Sequence, residues 1–315
     1  MPTFTPCVVC DNREHTSLTS MRAPRIPTVN WPVVVCNSCG LVSVSPHPVA
    51  AEYAAINDQW FSGVYGEDSD DEKIERRSSR RADIMWSRIG DSYPNVIKSV
   101  LDIGAGRGWG FEMLQKRFPG ISMTAIEHSP RDREHLESSY GVEVIATNVS
   151  ESWPAKIDNS GFDLIIFRHT LEHMLDPMDA LKKIEKSLSN NGYAYIVVPN
   201  CMRIPKGTRM RTDFFRPVHL YYFNSTTFLQ ICEKAGLVAE IFGAEGEIWG
   251  LFRRKDNTHN GKQVDVGPTI NVQQQLDHLQ KRLSESAASD RKSVVKICAR
   301  RMMPEWVIKT LRRIR

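Results

Sequence analysis

The chain has 315 residues, of which 41% are hydrophobic and 25% charged, and it carries a formal net charge of +4. That length holds one large or two modest domains, and the balance is that of ordinary soluble globular proteins; collagen-like, disordered and membrane-spanning descriptions of the whole chain are excluded. The opening Met1-Pro2-Thr3-Phe4 lacks the basic and apolar segments of a secretory signal, so the chain is expected in the cytosol, and so small a net charge gives no reason to expect a nucleic-acid partner.

Four of the seven cysteines, Cys7, Cys10, Cys36 and Cys39, fall in the first forty residues as two Cys-x-x-Cys pairs. In a reducing compartment this spacing reads as thiolate ligands to one tetrahedral zinc, because two intervening residues let a tight turn aim both sulfurs at the ion. Gly40 supplies the backbone freedom that the second turn needs, and Val33 to Val35 form a β-like run between the pairs. Four protein sulfurs leave no open coordination position, so the expected role is structural.

Residues 1–45 are therefore expected to form a cysteine module. Residues 46–95 are expected to form a connector, rich in proline and aromatics up to Tyr65, followed by an acidic turn at 67–72 and a helix from Asp71 to about Gly90. From there strands alternate with helices. Strands are predicted at Ser99–Ile103, Ser122–Ile126, Val142–Ala146, Phe162–Phe167 and Gly192–Val198; helices are predicted at Trp109–Phe118, Arg131–Tyr140 and Asp176–Leu188, the last with Asp176 as its cap and Pro177 at its first position. A helix at Ser225–Ala235, stopped by Gly236, and two late strands at Val238–Phe242 and Glu247–Phe252 complete a domain over 96–255. Such alternation specifies an α/β fold, a doubly wound and mostly parallel sheet with helices on both faces. Residues 256–315 read as a linker at Asn257–Gly267 and a helical tail. Val272, Leu276, Leu279 and Leu283 form a short heptad-like seam, suited to a brief coiled coil or to packing back on the domain. The tail carries nine basic residues between Arg291 and Arg315 against the single acid Glu305; with Trp306, Val307, Ile308, Leu311 and Ile314 interleaved, it is a candidate for docking on an anionic membrane surface, or else a solvated terminal helix.

The most informative segment is Leu101-Asp102-Ile103-Gly104-Ala105-Gly106-Arg107-Gly108-Trp109-Gly110, a strand running into a glycine-rich turn and a helix. A dinucleotide fingerprint needs glycine where Trp109 stands, and Asp102 would repel a pyrophosphate. A carboxylate there suits a cationic ligand. The Asp-x-Gly-x-Gly-x-Gly pattern, with Glu127 ending the next strand, resembles the class I S-adenosylmethionine-dependent methyltransferases. The resemblance implies a seven-stranded sheet and a cofactor held by Asp102, Gly104, Ala105, Gly106, Gly108, Glu127, His128, Asn148, Val149, Arg168 and His169, with Glu127 accepting from the ribose hydroxyls; the family often has Asp where Asn148 stands.

His169-Thr170-Leu171-Glu172-His173-Met174-Leu175-Asp176-Pro177 is similar to a segment of one large branch of that family, and Phe214 to Phe223 gathers aromatics around His219 where the branch carries a second histidine. With the cysteine module in front, the chain resembles, over residues 7–252, zinc-ribbon-bearing methyltransferases, several of which act on nucleotide-linked deoxysugars or surface polysaccharides. The likeness implies that His173 and His219 lie at the reaction centre, with His219 as the base, and that Tyr221, Tyr222 and Arg216 are candidates to face a nucleotide-sugar or glycan acceptor, the tyrosines having the core as their alternative place. The branch's carbon-methylating members carry Tyr and Glu where this chain has Arg216 and Val218, which shifts the expectation from C- to O-methylation. A non-catalytic zinc-ribbon binding module on a degenerate transferase fold is the rival of another class, disfavoured by the intact Asp102 and Glu127; a nicotinamide-dependent oxidoreductase is disfavoured by Trp109.

Overall fold

A computed structural model describes residues 4–21, 29–64, 71–90, 97–149, 153–257 and 269–302, without side chains for 61–64, 71–78, 257 and 288–302. The acidic stretch at 67–70, nearly all of the linker at 257–267 and the tail's Trp306, Val307, Ile308, Leu311 and Ile314 lie outside the described residues. Among the described residues no helix is long and apolar enough to cross a membrane.

The first elements in the chain are strands β1 (His15–Ser20), β2 (Pro32–Cys36) and β3 (Val42–Val44), then helices α1 (Ala50–Val64) and α2 (Asp71–Ile89). Next come β4 (Ser99–Ile103), α3 (Phe111–Arg117), β5 (Ser122–Glu127), α4 (Pro130–Tyr140), β6 (Glu143–Ala146), β7 (Phe162–Arg168), α5 (Pro177–Ser187) and β8 (Leu188–Pro199). The chain ends in β9 (Tyr221–Tyr222), α6 (Ser225–Lys234), β10 (Leu237–Gly243), β11 (Glu247–Arg254) and α7 (Val272–Met302).

Seven strands form one sheet in the order β10-β11-β8-β7-β4-β5-β6. Its four pairings from β8 to β6 are parallel, and β11 lies antiparallel to both β8 and β10. This is the doubly wound α/β architecture expected from the alternation of elements. Both faces are covered, and the side chains show it. Leu101, Ile103, Ile165, Phe167, Ala194 and Ile196 join one core cluster, while their neighbours Val100, Leu164, Ile166, Tyr195 and Val197 join the other. The order reverses at β4, flanked by β7 and β5, so the crevice beyond their carboxyl ends is where a ligand settles in such a sheet.

Local chemistry sets the helix ends. Ser129 caps α4 by accepting from the Asp132 amide, and Asp176 caps α5 through the Asp179 amide at 2.9 Å, each with proline next in line. Asn224 and Thr227 close a capping box on α6.

A second, antiparallel sheet runs β1-β2-β3-β9. Its last strand comes from 180 residues downstream: Val42 pairs with Tyr222, Ser43 with Tyr221, and the Val44 amide donates to the Leu220 carbonyl at 2.9 Å. The cysteine-bearing strands therefore share backbone hydrogen bonds with the segment that follows His219. Helix α7 fastens the same corner. Leu276 and Leu279 are buried and Val272 and Leu283 pack beside them, so the heptad-like seam lies back on the domain. Between them the buried Gln275 donates to the Gly40 carbonyl at 2.8 Å and accepts from Asn224 at 2.7 Å.

Two expectations change. The stretch after Pro46 and Pro48 is the helix α1, and the strand predicted at Gly192–Val198 starts at Leu188. In the first case Ala50, Ala51, Ala54 and Ala55 favour helix as soon as the prolines are passed.

Candidate active site

The glycine turn leaves β4 with Gly104 and Ala105 both donating to the Ile126 carbonyl, at 2.9 and 3.2 Å. Gly108 has φ +70°, and a Cβ there would lie 2.6 Å from both Leu136 and Phe111 side chains, so packing alone demands glycine. Gly106 differs. Its φ is +55°, yet a Cβ would meet nothing within 4 Å, so the backbone faces open space on the ligand side. The Gly106 amide donates to Glu127 Oε2 at 2.7 Å, and the Ser129 amide donates to Oε1 at 2.7 Å. Each oxygen keeps a further lone pair for a ligand hydroxyl. Burial raises the Glu127 pKa above the usual carboxylate range against the pull of those two amides.

Asp102 is 1% exposed, and its Oδ2 has no hydrogen-bond partner. Burial, then repulsion from Glu127, pushes its pKa up to about 8. A positive ligand group beside the loop would reverse that penalty, so the loop's chemistry fits a cation better than a phosphate. His128 is exposed and meets Asp58 of α1 at 3.3 Å. Asn148 and Val149 lie half-buried beyond β6, with Val149 against the main core.

Arg168, the last residue of β7, and His169 beyond it have protein partners. Glu247, at the start of β11, accepts from Arg168 at 3.0 Å, from His169 Nε2 at 2.9 Å and from Arg88 of α2 at 2.9 Å. His169 has φ +52°, and its Nδ1 lies 3.3 Å from Glu172 Oε1, so both ring nitrogens point at carboxylates. Burial opposes the charge on His169, but the bonds to Glu172 and Glu247 outweigh it and raise its pKa. Burial likewise opposes ionisation of Glu247, yet the His169 bond and the Arg168 charge hold its pKa at about 2. Glu247 is the residue sequence reading missed. It is one acid in a late strand with no motif around it, and only the sheet order brings it beside Arg168.

The two histidines singled out as reaction-centre residues meet. The rings of His173 and His219 stack edge to face with centroids 4.7 Å apart. His173 Nδ1 donates to the Val218 carbonyl at 2.6 Å, which leaves the lone pair of the neutral ring on Nε2. Tyr53 of α1 locks the two segments together, its hydroxyl lying 2.8 Å from the His173 carbonyl and 2.7 Å from the Val218 carbonyl. The His219 ring has no hydrogen-bond partner among the described residues. Burial, reinforced by His173, holds its pKa well below the usual histidine value, and burial lowers that of His173 too. Both rings are neutral at pH 7. Tyr221 and Tyr222 are core: each is 3% exposed, with its hydroxyl 3.3 Å from a backbone carbonyl, of Leu175 and Arg216 respectively. Arg216 is exposed and donates to the Asp213 carbonyl at 2.9 Å.

The Sγ atoms of Cys7 and Cys39, and of Cys10 and Cys36, lie 3.5 Å apart, and all four sulfurs fall within 4.8 Å of one another. Sulfurs around a tetrahedral zinc stand about 3.8 Å apart, so the set matches that ion's needs in number, kind and spacing.

A family described as "Methyltransferase domain" matches residues 65–240. This chain belongs to that family. The methyltransferase is 25% identical over 210 residues to the ubiquinone biosynthesis O-methyltransferase of Xanthomonas campestris pv. campestris strain B100, a match covering 60% of this chain and 83% of the relative. It is 21% identical over 246 residues to the protein of the same name from Rickettsia akari, covering 70% and 94%. Among solved structures, the Burkholderia thailandensis 1,6-didemethyltoxoflavin-N1-methyltransferase, with bound 1,6-didemethyltoxoflavin and S-adenosylhomocysteine, shares the fold with a TM-score of 0.51 at 19% identity, covering 69% of this chain and 96% of that one. The chain is thus an S-adenosylmethionine-dependent methyltransferase.

Glu127 tests where the cofactor sits. Glu127→Gln replaces a charged acceptor with a neutral amide, and S-adenosylmethionine affinity measured by calorimetry is expected to fall roughly 10- to 100-fold. Unchanged affinity would exclude Glu127 from the donor site.

Proposed function

We propose that this methyltransferase moves a methyl group from S-adenosylmethionine to a hydroxyl oxygen of a sugar, in a nucleotide-linked sugar or glycan unit, with His219 as the base. The donor supplies a methyl already activated on a positive sulfur. Asp102, the Gly104–Gly108 turn and Glu127 hold it, and Asn148 and Val149 stand where its adenine would lie. The protein's remaining tasks are to align the acceptor oxygen with the methyl and to accept one proton. The observation that carries the reading is the adjoining pair of neutral rings, one with its tautomer set by Val218 and the other, His219, buried and without a hydrogen-bond partner among the described residues.

Oxygen is favoured as the methylated atom because a neutral histidine suffices to take a hydroxyl proton as the methyl arrives, and because the relatives are named O-methyltransferases. The sugar rests on the ordered likeness of the cysteine module and both histidine segments to sugar methyltransferases. The relatives' name favours a second reading, a phenolic hydroxyl, which ionises more readily and asks less of the base. Zinc on Cys7, Cys10, Cys36 and Cys39 is proposed as structural, and the basic tail as a peripheral membrane contact if the acceptor is lipid-linked.

Incubation with methyl-labelled cofactor and a panel of nucleotide sugars, glycans and phenols, followed by locating the label, decides among these. Label on a sugar oxygen is expected. Label only on phenols selects the second reading, and label on carbon or nitrogen overturns O-methylation.

A further inference from the structure

One charged group at this site has no part in the reading above. Glu172 is 1% exposed, its Oε1 is bonded to His169, and its Oε2 has no partner. An unsatisfied buried carboxylate oxygen is costly and is not retained by packing needs alone. One of its oxygens lies within 4.8 Å of a ring nitrogen on both His173 and His219, and the Leu220 amide, next to His219, donates to the Glu172 carbonyl at 2.9 Å. We infer that Glu172 is a positioning residue for His219, a fixed buried countercharge that His219 meets as an ion only when it takes up the acceptor's proton.

The charge balance explains why. This inference rests on His219 as the base. As the acceptor oxygen bonds to the methyl carbon, the methyl–sulfur bond breaks and its electron pair stays on sulfur, while the hydroxyl proton passes to His219. One positive charge thus leaves the sulfur and appears on the imidazole. A buried anion beside that ring interacts weakly with the neutral base and strongly with the imidazolium, which is the condition for lowering a barrier rather than tightening binding. The groups facing His219 are His173, His169 and Glu172 from the segment after β7, Arg216 from its own loop, and the ring of Tyr222. Glu172 is the anion among them. Arg216 is turned to solvent, and His169 already holds two carboxylates.

The same three side chains could be imagined around a divalent cation. Their ligand atoms spread to 4.8 Å, with Glu172 Oε1 4.0 Å from His173 Nε2, whereas donors around a tetrahedral zinc stand about 3.4 Å apart for nitrogen and oxygen. The observed spacing favours a countercharge.

The test uses the full-length, zinc-loaded protein with Glu172→Gln and Glu172→Asp. In the wild type, kcat is expected to fall on the acid side as His219 becomes protonated. Glu172→Gln removes the charge that raises the His219 pKa, so the acid limb is expected to move down by roughly one pH unit while plateau kcat drops roughly a hundredfold, with cofactor affinity unchanged. Glu172→Asp keeps the charge and should restore the limb to its wild-type place. Ring NMR titration of His219 without cofactor should show the same downward displacement in Glu172→Gln. Lost turnover with an unmoved limb and an unmoved ring pKa, or wild-type behaviour in Glu172→Gln, overturns the inference. So does a stoichiometric metal ion, beyond any held by the cysteines, that Glu172→Gln releases. If Glu172→Gln does not fold, a Glu172→Asp limb displaced like that of an uncharged site overturns it as well. Full turnover in His219→Ala would instead sink the base assignment itself.

Discussion

His219→Ala is expected to lower kcat roughly 10²- to 10⁴-fold, the span that one positioned general base contributes, while S-adenosylmethionine affinity stays within about twofold. The two quantities separate because the residues involved do. The proposed donor site is built from Asp102, the turn after β4 and Glu127, whereas His219 stands on the segment before β9 and is buried against His173 and Tyr222. His173→Ala should cost less, about tenfold. Its Nδ1 is occupied by the Val218 carbonyl, so it shapes the pocket around His219 rather than taking the proton. The pH dependence has a definite sign. Because burial depresses the folded-state pKa of both rings, the neutral, active form persists well below the usual histidine value, and activity is expected to remain at mildly acidic pH and fail only below it. Steady-state rates from pH 5 to 9 on the wild type and both variants check all of this. An His219→Ala protein with wild-type kcat removes the base, and an acid limb at or above the ordinary histidine pKa removes its buried environment.

The parts of this protein that could be read before any coordinates are those governed by local rules. Short apolar runs such as Leu164 to Phe167 are buried on both faces of a parallel sheet and announce themselves; so do Asp176-Pro177 and Asn224 as caps. Asp102, Gly106 and Glu127 were readable as a group because a turn that exposes backbone to a ligand needs glycine and the strand end needs a carboxylate. What stayed hidden depends on distance along the chain. Strand β9 is two tyrosines long, and only its pairing with Val42 and Ser43 makes it a strand at all. Tyr53 looked like one aromatic among several until α1 laid its hydroxyl between two carbonyls 120 and 165 residues further on. Glu172 was visible inside its motif, but its unmatched oxygen belongs to the packing of three segments and has no signature in any one of them.

Removing the zinc proposed for the cysteine module is expected to lower kcat at least tenfold while sparing cofactor binding. The path is covalent and hydrogen-bonded throughout. Cys36 ends β2, and its carbonyl accepts from the Gly40 amide at 3.0 Å; Gly40 in turn accepts from Gln275, which holds Asn224 at the start of α6. On the other side β3 pairs with β9 and takes the Leu220 carbonyl, one residue from His219. Structural zinc contributes roughly 10–16 kcal/mol to the folding of small modules at neutral pH, comparable with the whole stability of a domain at about 5–15 kcal/mol, so the small sheet should not survive its loss. One face of the seven-stranded sheet, with Val100, Leu164, Ile166 and Val197, has a core cluster apart from the one the cysteine strands share, and the turn after β4 is anchored on Ile126 and Glu127, so the Kd for S-adenosylmethionine should stay within about threefold while kcat falls at least tenfold. Cys39→Ser should reproduce the effect, and zinc added back to chelated wild type should reverse it. The decisive comparison pairs metal content with kcat during chelation. If the metal leaves and the rate holds, the cysteine module is not what keeps the His219 segment in place, and Tyr53 suffices to seat it.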